Sequence, residues 1–345
     1  MIASAPPGPP APSPGGPRVN REELATIAVL GRVTPPLSKG SPYRIGQDGV
    51  ARVLPGPGGI TLSHRIGDRC VGIAADHLEP AVSIRATGKT EGPVPDAANR
   101  GLNLLACVGN AARVVSGPAA GAKGLVTGKH GGVGHVIVDF PREPMRRMRV
   151  GDMVQIAATG QGLRLPNFPE VAAMNADPGL IARMGILVEG GRLLVPVTHL
   201  VPAALMGSGL GRGSASLGDC DIQLFDHEAV ERFRLGSLRF GDIVAILDTE
   251  GRHGRSYARR HVTIGVVVHS DSTVSGHGPG VTALLSGPAG RLRPRHDPNA
   301  NLAVLYGVRP AAAPRVEPTF TRRTRPLAPP SGRALRTGRR ADVHP

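Results

Sequence analysis

Phe240-Gly241-Asp242-Ile243-Val244-Ala245-Ile246-Leu247 sets a turn against a strand: a glycine-aspartate pair, then an apolar run rich in β-branched residues. The glycine supplies a backbone conformation that residues with a Cβ resist, and the aspartate carboxylate can bond the backbone two residues on. The same order occurs at Ile66-Gly67-Asp68, before Arg69 to Ala74, and at Val150-Gly151-Asp152, before Met153 to Ala158. Glycine spacings of 84 and 90 residues read as repeated turn-then-strand modules, the units of antiparallel barrels and sandwiches.

The composition points the same way. The 345 residues include 48 Gly and 34 Pro, which punctuate the chain and disfavour long helices. The fold class that follows is α+β and β-rich, with mixed or antiparallel sheets in barrel-like or sandwich-like modules and a few short helices. Further strands are expected at Thr26 to Val33, Arg192 to Val197, Asp221 to Leu224, Val262 to His269 and Val281 to Leu285. Helices are expected at Ala97 to Val108 after Asp96, at Pro178 to Met184 after Asp177, and at His227 to Phe233 after Asp226, each aspartate standing at an N-cap position.

Residues 1–20 and 309–345 are expected to be disordered tails, the second rich in Arg and Pro. Between them the reading divides the chain into an N-terminal β-rich domain, 21–165, and a C-terminal α+β domain, 166–308. The formal charge of +15 is unevenly spread: residues 309–345 carry +7 and residues 1–20 carry +1, leaving +7 for the body. With four Lys among 41 basic residues, and few aromatics to stack bases, this balance does not by itself mark a nucleic-acid surface. Nucleic acid is expected to engage the Arg-rich tail weakly if at all. No run of about 18 apolar residues offers a membrane-spanning helix. The amino end lacks the apolar core of a signal peptide, and Cys70, Cys107 and Cys220 stand in no CxxC spacing. A cytoplasmic protein with reduced thiols and no membrane partner is expected.

The stretch from Arg113 to Phe140 runs strand, turn at Ser116-Gly117-Pro118, the segment Gly121 to Lys129, then strand from His135. It resembles the small-barrel motif called KOW, and the resemblance implies a domain that contacts RNA or protein.

Chemistry concentrates in the C-terminal half. The apolar strand Val266-Val267-Val268 ends in His269-Ser270-Asp271, and a glycine-rich loop follows with His277. Polar groups at the end of a buried strand, facing a loop, are supported from beneath and open above, as metal or acid-base chemistry requires. His269, Asp271 and His277 are the predicted catalytic residues. Upstream, Asp219 and Asp221 stand two apart, so an extended backbone points both carboxylates to one side, and two like charges so close favour a cation. Asp219, Asp221, His269 and His277 are the predicted ligands of a divalent metal. Asp76-His77-Leu78-Glu79 and Lys129-His130-Gly131-Gly132 are secondary candidates that could add a ligand from across a domain interface. Cys220, between two carboxylates, reads as structural.

Five segments carry a resemblance: Leu105 to Asn110, Gly128 to Gly132, Val195 to Gly211, Leu238 to Leu247 and Gly265 to Gly280. Together they resemble the bacterial and archaeal family called domain of unknown function four-four-three-eight, from Glu22 to about Asn301. This implies a mixed β-rich fold and brings no activity. A fainter likeness, in Val201-Pro202-Ala203-Ala204-Leu205 leading through glycines to Gly218-Asp219, is similar in cadence to the acetamidase and formamidase family. The His and second Gly-Asp of that family's loop have no counterparts at matching positions, so no catalytic role is carried over.

The function expected is metal-dependent hydrolysis of a small amide-like or cyclic C–N substrate by a homo-oligomer. The alternatives are a non-catalytic β-barrel module that binds RNA or a protein partner, and a structural homo-oligomer.

Overall fold

Three arginine-led turns frame the architecture. Arg65-Ile66-Gly67-Asp68, Arg149-Val150-Gly151-Asp152 and Arg239-Phe240-Gly241-Asp242 each close with the Asp N–H donating to the Arg carbonyl at 3.1 Å. Each glycine has a positive φ, between 82° and 99°, which a type II turn requires at its third position. The aspartates do not reach two residues forward. Each carboxylate instead accepts the N–H of the arginine three residues back, at 2.8 to 2.9 Å, so the side chain and the turn bond close the same loop.

The computed structural model describes residues 15–38, 41, 43–86, 96–211 and 213–312. Most of the expected N-terminal tail and nearly all of the Arg-rich tail lie outside the described residues. Where the chain is placed before residue 21 it is engaged: Val19 packs on the core, and the Asn20 side chain donates to the Gly162 carbonyl.

Six strands form a closed antiparallel barrel: β1 (Ile27–Val33), β2 (Ala81–Arg85), β3 (Ala111–Val114), β4 (Lys123–His130), β5 (His135–Asp139) and β6 (Met153–Ala158). Their order around the barrel is β1-β6-β3-β4-β5-β2, and β2 pairs back to β1 through Arg32↔Arg85. Closure leaves no unpaired edge among these six. The barrel is filled by Val33, Ile84, Val114, Val126, Val136, Val138, Val154 and Ile156, the β-branched residues that pack well on a pleated surface. The KOW-like stretch forms β3, β4 and β5.

A second sheet is built from β7 (Ala172–Ala173), β8 (His199–Pro202), β9 (Cys220–Asp221), β10 (Ile243–Glu250), β11 (Ser256–Val267) and β12 (Gly280–Pro288). Its order is β7-β12-β11-β10-β8, with β9 on β12. β8 runs parallel to β10 and the other pairs are antiparallel. A smaller sheet of Leu187–Glu189, Arg192–Val197 and Leu292–His296 completes this half. The described residues up to Ala312 form one compact unit. The fold is therefore β-rich, with mixed and antiparallel sheets and short helices.

Local expectations fail where a side chain has another use. Arg69 to Ala74 is not a strand beyond a single bridge, Arg69↔Arg239, because the Gly72 N–H donates to the Asp271 carboxylate. The helix at Ala97 stops at Leu105, since the Cys107 N–H is taken by the Asn110 side chain at 2.8 Å. Asp96 does not cap it: this residue is left-handed, and its carboxylate pairs with Arg85. Asp177 and Asp226 do cap their helices. Among the described residues no helix is long and apolar enough to cross a membrane.

Candidate metal centre

β4 of the barrel is stitched to β12 of the second sheet at one point. The Lys129 N–H donates to the Thr282 hydroxyl at 3.2 Å, and that hydroxyl donates to the Lys129 carbonyl at 3.0 Å. Five segments deliver polar side chains to this junction: the loop before β2, the end of β4, β9 with the residues before it, the residues after β11, and the loop before β12.

The side chains fall into two sets. In the first, His77 Nε2 lies 2.9 Å from His277 Nδ1 and 3.4 Å from Asp221 Oδ2, and His277 Nδ1 lies 3.1 Å from that same oxygen. In the second, His130 and His269 face each other with ring centroids 4.3 Å apart. There His269 Nε2 lies 2.7 Å from Asp219 Oδ2 and 3.6 Å from Asp221 Oδ1. Each set contributes three donor atoms, all within 4.8 Å of one another.

The remaining ring nitrogens are committed elsewhere. His77 Nδ1 meets Asp76 Oδ1 at 2.8 Å, His130 Nδ1 meets Glu79 Oε1 at 2.6 Å, and His269 Nδ1 meets the Ser270 carbonyl at 2.9 Å. With Nδ1 donating, each Nε2 offers a lone pair to the cluster, the outer-sphere arrangement that orients metal-bound histidines. The orienting carboxylates are themselves held. Asp76 accepts from Ser272 at 2.6 Å and pairs with Arg44 at 2.9 Å. Glu79 accepts from the Gly58 N–H, the Ser83 hydroxyl and His135.

Two donor atoms have only each other. Asp219 Oδ2 and His269 Nε2 are buried, face each other at 2.7 Å, and neither has a further hydrogen-bond partner. A shared cation could take the place of the proton between them. Gly280 keeps the space beside them clear: a Cβ there would lie 2.1 Å from Asp219 Oδ2 and 2.2 Å from His269 Nε2.

The field at the cluster favours positive charge. Burial alone would lower the His269 pKa, but Asp219 and Asp221 outweigh it and hold the imidazolium well above its ordinary range. His77 is raised in the same way, against burial, by Asp221 and Asp76. His130 is lowered by burial and by the neighbouring His269 charge. Burial opposes ionisation of Asp219 and Asp221, yet the surrounding histidines hold both carboxylates below the usual range.

The cluster floors a cavity of about 790 Å³, within the size range of small-molecule sites. Its walls are glycine-rich and carry Ser208 and Ser214 beside Arg44, Arg100 and Arg255.

Of the residues singled out from sequence, Asp219, Asp221, His269 and His277 meet here. Asp271 does not, because its carboxylate accepts the Gly72 N–H at 2.8 Å. The secondary candidates supply His77 and His130 as donors and Asp76 and Glu79 as their supports. His135 escaped the sequence reading. The signal was its place opposite His130 across the β4–β5 hairpin, which a turn at Gly131 to Gly134 implies. Cys220, the first residue of β9, packs into the apolar core, and burial pushes its thiol up to about 12.

Residues 43–182 match the N-terminal domain of unknown function DUF4438, and residues 183–306 match its C-terminal domain. The chain belongs to the DUF4438 family. Its N-terminal match holds His77 and His130 with their supporting carboxylates, and its C-terminal match holds Asp219, Asp221, His269 and His277, so both halves of the DUF4438 pair build the cluster. The crystal structure of TM1086 is similar to it, with 41% identity, a TM-score of 0.79, and coverage of 84% of this chain and 99% of that one. A search of curated proteins gave no match. Nothing in these comparisons supports the acetamidase-like cadence.

Proposed function

We propose that this DUF4438 protein is a metal-dependent hydrolase of a small, polar substrate of the amide-like or cyclic C–N class. The observation that carries the reading is the convergence of four imidazoles and two carboxylates at a cavity that all but His269 line, with Asp219 Oδ2 and His269 Nε2 buried and 2.7 Å apart. The donor set of imidazole nitrogen and carboxylate oxygen suits zinc, iron or manganese. A divalent ion held there would polarise a substrate carbonyl and lower the pKa of a water molecule.

The chain's own groups have separate tasks. His130, His269 and Asp219 hold the cation, and Glu79 and the Ser270 carbonyl fix the ring orientations. Arg100 on the cavity wall favours a substrate that carries an anionic group, such as a carboxylate. Asp271, whose carboxylate is held by the Gly72 N–H, takes no part.

The test is turnover of a panel of linear amides, lactams and cyclic imides by the full chain, stripped with chelator and reloaded with zinc, manganese or cobalt. Hydrolysis should require the reloaded metal and fall at least 100-fold in Asp219→Asn with the circular dichroism unchanged. Turnover that is indifferent to both chelator and Asp219→Asn refutes the proposal, as does a panel with no turnover by any metal-loaded form.

A further inference from the structure

We propose that the centre holds two divalent ions bridged by Asp221. This rests on reading the cluster as a metal centre and adds its nuclearity. The first observation is the number of donors. Six side chains converge, and they separate into two complete sets of two imidazoles and one carboxylate oxygen. Two imidazoles and a carboxylate already fill the protein's share of one catalytic site of the open, three-ligand type. One ion would leave the other set with only the contacts its members make with one another.

The second observation is the placement of Asp221. Its Oδ2 faces His77 and His277, at 3.4 and 3.1 Å, while its Oδ1 faces His269 at 3.6 Å. Donors about 2.1 Å from a tetrahedral ion stand roughly 3.4 Å apart, so each carboxylate oxygen lies at ligand spacing from a different set. A carboxylate that offers one oxygen to each of two ions spans the separation of about 3.5–4 Å typical of two-metal sites.

The third observation is that each set has its own support. Asp76 orients His77 and Glu79 orients His130, and each carboxylate is anchored by groups the other does not touch: Ser272 and Arg44 for Asp76, Gly58 and Ser83 for Glu79. The sets also differ in access. His130 and His269 are buried, whereas the His277 side chain is 34% exposed. The outer ion would face the cavity and exchange faster than the inner one.

The experiment titrates the chelator-stripped full chain with Mn(II) and with Zn(II), reads bound metal per chain by elemental analysis, and records the electron paramagnetic resonance of the manganese form. Two equivalents per chain and a spin-coupled manganese signal are expected. His77→Ala and, as a milder change at the cavity edge, His277→Ala should each lower the count to about one and leave an uncoupled signal. A single equivalent in the parent with an isolated signal overturns the proposal, as does an unchanged count of two in both variants. Two ions without turnover of any substrate would sink the hydrolase reading alone. Turnover with one ion would sink the two-ion centre alone.

Discussion

Glu79→Gln separates a metal centre from a chance cluster, because Glu79 touches no proposed ion. Its side chain is buried in full, and its two oxygens accept from four groups: Gly58, Ser83, His130 and His135. Burial works against its charge, but His130 and His135 hold the carboxyl well below its ordinary range. Glutamine keeps the shape and replaces one acceptor with an NH₂ donor. With the NH₂ in the Oε2 position it opposes the Gly58 N–H. In the Oε1 position it opposes His130 Nδ1–H and drives that ring to the other tautomer, placing a proton on the Nε2 offered to the cluster. Two charge-assisted hydrogen bonds at about 1.5–3 kcal/mol each put the stability loss near 3–6 kcal/mol. The lost orientation of His130 should weaken metal binding by about 10–100-fold. Chelator-competition titration with zinc measures the second effect and denaturant unfolding of the stripped protein the first. A folded Glu79→Gln protein with parental zinc affinity would refute the idea that Glu79 serves a metal-binding histidine.

Gly280→Ala should abolish binding of the inner ion while leaving the barrel folded, since the added methyl would stand about 2 Å from both Asp219 Oδ2 and His269 Nε2; metal content and near-ultraviolet circular dichroism check this. Lys129 gives a pH dependence. Burial lowers its pKa from 10.5 to about 8, so between these values the unfolded chain carries a proton that the folded chain has lost. Stability of the stripped protein should therefore rise with pH across that window, by about 3 kcal/mol at 1.36 kcal/mol per unit. Melting curves of Lys129→Met should lack this rise, and parallel pH profiles for parent and variant would count against a buried, charge-disfavoured lysine.

What the sequence reveals depends on how local the physics is. The turns at Gly67, Gly151 and Gly241 and the caps at Asp177 and Asp226 act within three residues, and they are legible. The arginine that leads each turn was the overlooked part of that signal, because the Asp carboxylate reaches backward to its N–H. Closure of the barrel was not legible, since it pairs Arg32 with Arg85 across a connection that no short pattern encodes. The centre divides in the same way. Asp219, Asp221, His269 and His277 stand out because they crowd the ends of two strands. His77 and His130 look like ordinary turn residues, and their partners lie 200 and 139 positions along the chain. Asp271 shares the local pattern of a ligand, but the Gly72 N–H, 199 residues away, takes its carboxylate.

Anomalous X-ray scattering from crystals of the untagged protein, collected above and below the absorption edge of the metal it carries, bears most directly on the centre. Peaks should lie within bonding distance of His130 Nε2, His269 Nε2 and Asp219, and of His77 Nε2, His277 Nδ1 and Asp221. A metal-replete crystal with no peak at these six side chains, or with its metal bound elsewhere, would contradict the assignment of this cluster as a metal centre.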